Sequence, residues 1–253
     1  PWQNVTIILT YRRYYQWLIS YHNQLSKGPL FGFFKANETD RHRLSLVDAL
    51  SDPEWMEIIS GHYTSSVARR YEQYFEHVEV INIHDKKKMK GRDLGEVFYC
   101  DFMPHAPNTC QQVERIMQKK QFQANKSNPL VYEDIAYGAH HRGMIDIQSK
   151  EQMKMVINEI SDHQETTLGR SSRDFKLRCP STSVLDDILQ RSVEAERELV
   201  PIFFASDNGE VELKRDFEVY SNTSLCDVDI AATLESSEWG DFFQSLAQTH
   251  DSA

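Results

Sequence analysis

The stretch Asn4-Val-Thr-Ile-Ile-Leu-Thr10, continued by Tyr11-Arg-Arg-Tyr-Tyr-Gln-Trp-Leu-Ile-Ser20, decides how this chain is read. Its first part is short, apolar and β-branched, which predicts a buried strand. Tyr11-Arg12-Arg13 ends the strand and a helix opens at once. Apolar side chains recur at Tyr14, Trp17, Leu18, Tyr21 and Leu25, which is helical spacing. Arg13, Gln16 and Ser20 fall on another face, three and four residues apart. A basic group therefore stands at the carboxyl end of a strand, with a hydroxyl two turns into the next helix. In open α/β sheets ligands bind in that crevice. A helix amino terminus with an arginine beside it suits a phosphate or sulfate.

A second stretch extends this reading. Gly61-His-Tyr63 starts a helix with apolar residues at Tyr63, Val67, Tyr71, Tyr74 and Phe75. The strand Val78-Glu-Val-Ile-Asn-Ile83 follows and closes on His84-Asp85. With the first strand this makes a parallel βαβ unit, whose crossovers are almost always right-handed.

The spacing Arg12…Ser20 resembles the strand–helix with which sulfotransferases using 3′-phosphoadenosine 5′-phosphosulfate (PAPS) hold the 3′-phosphate. In that family a strand ends in Arg and a Ser follows eight positions later, as here. Gly61–Asp85 resembles the family's next helix–strand unit, so the likeness runs over about residues 4–100. Two positions depart from the pattern. Arg13-Tyr14 stands where the family often has Asn-Pro or Asp-Pro, and Trp17 stands where a second Arg is common.

The resemblance implies an α/β fold with a parallel sheet flanked by helices, of the phosphate-loop nucleoside triphosphate hydrolase kind, over residues 1–120. Residues 121–253 are expected to form a mostly helical region packed on that core, with a linker at Gln121–Pro129. It further implies transfer of a sulfuryl group from PAPS to a hydroxyl acceptor, a glycan in particular. Arg12 and Ser20 are the implied cofactor-binding residues, with no metal and no named catalytic base. The implied location is the Golgi lumen, with the cytoplasm as the alternative. In the family a phosphosulfate-binding loop with its Lys, and a base, come before this strand. Pro1 is not a natural start, so both are expected upstream, and this chain alone is expected to be inactive. Two other functions stay open: a non-catalytic binding module on the same scaffold, and another phosphate-loop nucleotide enzyme such as a kinase.

Composition bounds these readings. The chain has 253 residues, 40% hydrophobic and 26% charged, which suits one large domain or two small ones. A net charge of −10 argues against general nucleic-acid binding and against adhesion to anionic membrane. No apolar run is long enough to span a membrane. No Gly-x-x-x-x-Gly-Lys-Ser/Thr loop occurs, and Gly169-Arg-Ser-Ser172 is only a weak echo of one. Lys90-Gly91-Arg92, in the basic run from Asp85, matches a tripeptide that some family members place on the 3′-phosphate later in the chain. A solvated loop accounts for it as well.

The cysteines are Cys100, Cys110, Cys179 and Cys226, which allow three pairings and contain no zinc-type Cys-x-x-Cys. Sequons at Asn4, Asn37, Asn125 and Asn222 lean toward a secretory route. His84 and Asp85 end a strand at the ligand edge, but no histidine is singled out as a base. His140 and His141 diverge on a helix and do not face one metal.

Along the rest of the chain, Leu30–Phe34 is an apolar cluster and Asn37–Arg43 a polar loop. Ser45–Ala49 with Pro53–Ile59 is a broken helical stretch, and Thr109–Lys120 is a helix. In the second half, helical spacing recurs over Tyr132–His141 and Gln152–Ile160. A clear helix begins near Ser183. Pro201–Phe204 reads as short and buried, and Ala205–Phe217 as acidic and turn-rich. Asp227–Leu234 and Trp239–Leu246 read as closing helices.

Overall fold

The computed structural model describes residues 5–26, 45–85, 89–103, 107–119, 131–205 and 209–250. In chain order these form strand β1 (Thr6–Tyr11), helices α1 (Tyr14–Ser26), α2 (Leu46–Ser51), α3 (Pro53–Ser60) and α4 (Thr64–Glu72), strand β2 (His77–Asn82), and helices α5 (Leu94–Val97) and α6 (Pro107–Lys119). There follow α7 (Val131–His141), α8 (Lys150–Asp162), β3 (Leu177–Arg178), α9 (Thr182–Leu199), α10 (Pro201–Phe204), α11 (Gly209–Ser221), β4 (Asp227–Val228), α12 (Ile230–Leu234) and α13 (Ser237–His250). Five-residue π-helical segments, Phe98–Phe102 and His163–Thr167, continue α5 and α8. The described residues are thus mostly helical with a small parallel sheet, an α/β arrangement.

Two compact units share the chain. The first takes Pro1–Trp17, Glu57–Ser127 and Ile188–Asp216, and the second takes Leu18–Met56, Asn128–Asp187 and Phe217–Ala253. The sequence reading drew its boundary at residue 120. Ile188–Asp216 nonetheless groups with β1, because α9 and α11 supply the acids that meet the β1–α1 turn.

In the first unit β1 and β2 pair in parallel, from Thr6 opposite His77 to Tyr11 opposite Asn82. β1 is not the buried strand its composition predicts. Thr6 and Thr10 are exposed, Ile7, Ile8 and Leu9 are half-buried, and only Tyr11 is fully enclosed. Among the described residues β1 has one hydrogen-bonded neighbour, so its faces are only partly covered. The stretch after β2 is ordered by an Asp93–Glu96 capping box that starts α5. A disulfide, Cys100–Cys110, joins the following π-helical turn to α6.

The second unit has its own core. Ile135, Ala136 and Ala139 of α7 pack with Met153, Val156 and Ile160 of α8, and with Trp239 and Phe243 of α13. The apolar periodicity of α7, α8 and α13 is the reason these faces meet. β3 and β4 form a short antiparallel clip, with Leu177 opposite Val228, and Cys179–Cys226 staples it. His140 is a structural histidine: its Nδ1 accepts the Ile147 N–H at 3.1 Å.

Three expectations for the second half are corrected. Ala205–Phe217 is not turn-rich, because Gly209–Ser221 is helical and buries Leu213 and Phe217 one turn apart. Pro201–Phe204 is not a buried segment: it is one helical turn with Ile202 90% exposed. Successive helical side chains diverge by about 100°, so four in a row do not all face a core. Asp227 and Val228 belong to β4, and the helix begins only at Ile230, where the Asp229 side chain accepts the Ala232 N–H at 3.0 Å. The apolar cluster Leu30–Phe34, the loop Asn37–Arg43 and the linker Gln121–Pro129 lie outside the described residues.

Candidate functional site

β1 ends at Tyr11 and α1 opens at Tyr14, so Arg12 and Arg13 make up the whole turn. Neighbouring residues at such a junction face different surroundings. Arg12 is exposed, whereas Arg13 is 6% exposed.

Arg13 is held by two carboxylates from distant helices. Its Nε donates to Glu196 Oε1 of α9 at 3.0 Å, and its Nη1 donates to Asp216 Oδ2 of α11 at 2.7 Å. The Tyr11 hydroxyl donates to the same Glu196 oxygen at 2.9 Å. Tyr15 and Gln16, on the first turn of α1, donate to Asp216 Oδ2. Glu196 is fully buried, and its other oxygen, Oε2, has no hydrogen-bond partner among the described residues.

The electrostatics follow from burial. Burial opposes the charge on Arg13, but Tyr15, Asp216 and Glu196 outweigh it, and the guanidinium stays charged. Burial also acts against the Asp216 carboxylate, yet hydrogen bonds from Tyr15 and Arg13 hold its pKa below the ordinary value. Glu196 shifts the other way: burial raises it, and Arg13 and Tyr11 recover only part of that. Tyr11 is pushed far up by burial and by Tyr63 and Glu196, so it is a neutral donor.

The backbone of the turn is also tied. The Tyr63 hydroxyl donates to the Arg12 carbonyl at 2.7 Å, and the Thr64 hydroxyl donates to the Thr10 carbonyl at 3.2 Å. The Arg13 N–H donates to His84 Nε2 at 3.2 Å. His84 therefore keeps its neutral-form proton on Nδ1, and its Nε2 lone pair is engaged. Burial, then the charge of Arg13, pushes its pKa down to about 4. Tyr14, Trp17 and Tyr63 pack ring against ring beside the turn, with Tyr14 and Tyr63 centroids 4.9 Å apart.

Of the two sequence-derived site residues, Arg12 is exposed in this fixed turn. Ser20 is half-buried on α1, six residues past the helix start, or about 9 Å along its axis. In the basic run after β2, Arg92 grips Asp101 through both Nη atoms, at 2.8 and 2.7 Å. Cys100, Cys110 and Glu114 bring ligand-type atoms within 4.8 Å of one another, but both sulfurs are spent in one disulfide. In the second unit an open pocket of about 370 Å³ is lined by Glu159, Asp162, His163, Thr166, Thr167 and Phe242. Its acids disfavour an anion, and His163 is neutral there because burial lowers its pKa.

Sequence reasoning missed Glu196 and Asp216. Glu196 had a signal: it continues the Ile188, Ser192 register at four-residue spacing, a carboxylate on the buried stripe of α9. Asp216 had none, since it sits among Lys214, Arg215 and Glu218 on a helix with only two apolar anchors.

Comparison of the chain with known protein families, with curated proteins and with solved structures finds no match.

Proposed function

We propose that this chain carries the 3′-phosphate grip of a PAPS-dependent sulfotransferase of the phosphate-loop α/β type. The acceptor class is a hydroxyl, on a carbohydrate, in the Golgi lumen or elsewhere on the secretory route. The observation that carries the reading is the β1–turn–α1 unit: a parallel strand, an exposed Arg12 in a two-residue turn, and Ser20 eight positions on along the helix. A helix amino terminus favours an anion; the first turn of α1 holds no acidic residue of its own, and the Asp216 carboxylate already meets it through Tyr15 and Gln16. Arg13 is engaged by Glu196 and Asp216, so Arg12 is the arginine left to meet a ligand. Two disulfides are compatible with a secretory compartment.

PAPS supplies the sulfuryl group and a nucleotide bisphosphate leaving group. Arg12 would pair with its 3′-phosphate by charge-assisted hydrogen bonds, and Ser20 would donate its hydroxyl. The tied turn would spare the backbone part of the ordering cost at binding, leaving that of the exposed Arg12 side chain. The remaining parts, a lysine at the bridging oxygens and a base for the acceptor, are assigned to no residue of this chain.

Calorimetry with adenosine 3′,5′-bisphosphate against ATP tests the reading. Binding of the bisphosphate that weakens roughly ten- to hundred-fold in Arg12→Ala is expected, the scale of a charge-assisted contact. Binding of ATP alone, indifferent to Arg12→Ala, would point to the kinase-like alternative and defeat the sulfotransferase reading.

A further inference from the structure

We propose that Asn222 is a site of N-linked glycan attachment. Asn222-Thr223-Ser224 is a complete acceptor sequon. The asparagines of the other three sequons, Asn4, Asn37 and Asn125, lie outside the described residues. A sequon by itself is a weak signal, and most of its information comes from where the fold puts it. Here Asn222, Thr223 and Ser224 are all exposed, in the turn that ends α11. The turn is tight: the N–H groups of Thr223, Ser224 and Leu225 all donate to the Tyr220 carbonyl. Flanking residues anchor it, since Ser221 and Leu225 are buried and Cys226 is bonded to Cys179. The asparagine thus stands on a fixed, solvent-facing corner.

The chemistry fits the local bonding. The reaction joins Asn222 Nδ2 to the anomeric carbon of a lipid-pyrophosphate-linked oligosaccharide. The bond from that carbon to the pyrophosphate oxygen breaks, the lipid pyrophosphate leaves with the electron pair, and Nδ2 gives up one proton. The product amide keeps one N–H. Asn222 Nδ2 makes one hydrogen bond that the fold uses, to the Glu218 carbonyl at 2.9 Å. The one N–H that the product amide keeps is the number this bond needs. The Cys179–Cys226 bond at the same corner is compatible with an oxidising compartment, where that transfer takes place. This inference is independent of what the β1–α1 turn binds.

The test is secretion of the full chain from a eukaryotic host behind a cleavable leader, followed by peptide mapping. Treatment with a peptide N-glycosidase in heavy-oxygen water converts a glycan-bearing asparagine to a labelled carboxylate. Label at position 222 is expected, along with its essentially complete loss in Ser224→Ala and its retention in Ser224→Thr. Secreted, disulfide-bonded chain with an unlabelled Asn222 peptide overturns the proposal, as does label that survives Ser224→Ala.

Discussion

The Arg13 guanidinium donates through Nε to the buried carboxylate of Glu196, 183 positions further along the chain, at 3.0 Å. Neither charge has bulk water to turn to, and Glu196 is completely enclosed. Removing Arg13 therefore strands Glu196, whereas removing Glu196 leaves Arg13 its ion pair with Asp216 at 2.7 Å. Arg13→Ala is expected to cost about 3–5 kcal/mol in urea unfolding, and Glu196→Ala clearly less. An Arg13→Ala, Glu196→Ala double variant should cost clearly less than the sum of the two. Strict additivity would mean that the pair is not coupled.

Arg12, next in sequence, should behave in the opposite way. It is exposed, so Arg12→Ala should leave the unfolding free energy within about 0.5 kcal/mol of the parent. The bisphosphate affinity should fall as described above. A large loss of stability from this variant would show that Arg12 has a structural role and would remove the basis for the ligand reading.

His84 gives the fold a dependence on acid. Its pKa is about 4 in the folded chain against an ordinary value of 6.5, so the unfolded chain binds the extra proton first. Stability is therefore lost as pH falls from about 6.5 towards about 4, by about 3 kcal/mol in all. Protonation also puts a hydrogen on Nε2, where the Arg13 N–H now donates. The raised pKa of Glu196 works in the opposite direction, because a group that takes up its proton more readily when folded gains stability in acid. Urea midpoints at pH 7, 5 and 4, compared between the parent and His84→Gln, isolate the histidine. An identical pH slope in the two proteins would refute its role.

The two disulfides should differ in worth. Cys179–Cys226 closes a loop of 47 positions and Cys100–Cys110 one of 10. Chain entropy assigns about 4 kcal/mol to the longer and about 3 kcal/mol to the shorter. Replacing Cys179 and Cys226 together by serine should lower the thermal midpoint more than replacing Cys100 and Cys110. The reverse order would mean that local structure, not loop closure, sets these values.

Gly138 in α7 tests the packing of the second unit. A Cβ built there would lie 2.4 Å from Ile230 Cγ2 of α12. Glycine to alanine in a helix ordinarily gains about 1 kcal/mol. Gly138→Ala should instead lose about 1–3 kcal/mol, as overpacked cores do. Gly240, with nothing within 4 Å of its built Cβ, is the control, and Gly240→Ala should be neutral or stabilising.

Much of the local architecture was legible in the amino-acid order alone. β1, α1 and β2 emerge within a residue or two of the reading and α4 within three at each end, because β-branched runs and helical periodicity are properties of neighbouring residues. The junction itself, a strand ending in two arginines before a helix, belongs to the same class, whereas Arg12 was named only through the spacing to Ser20 that the family resemblance supplied. What only the tertiary structure decided is which arginine is free and what fixes the turn. Arg13 and Arg12 are equivalent in sequence, and they part company only when Glu196 and Asp216 arrive from α9 and α11. Those acids lie 183 and 203 positions away, and no local pattern carries a pairing across that distance. The desolvation that neutralises His84 and strands Glu196 Oε2 likewise depends on which side chains exclude water, a property of the packed fold.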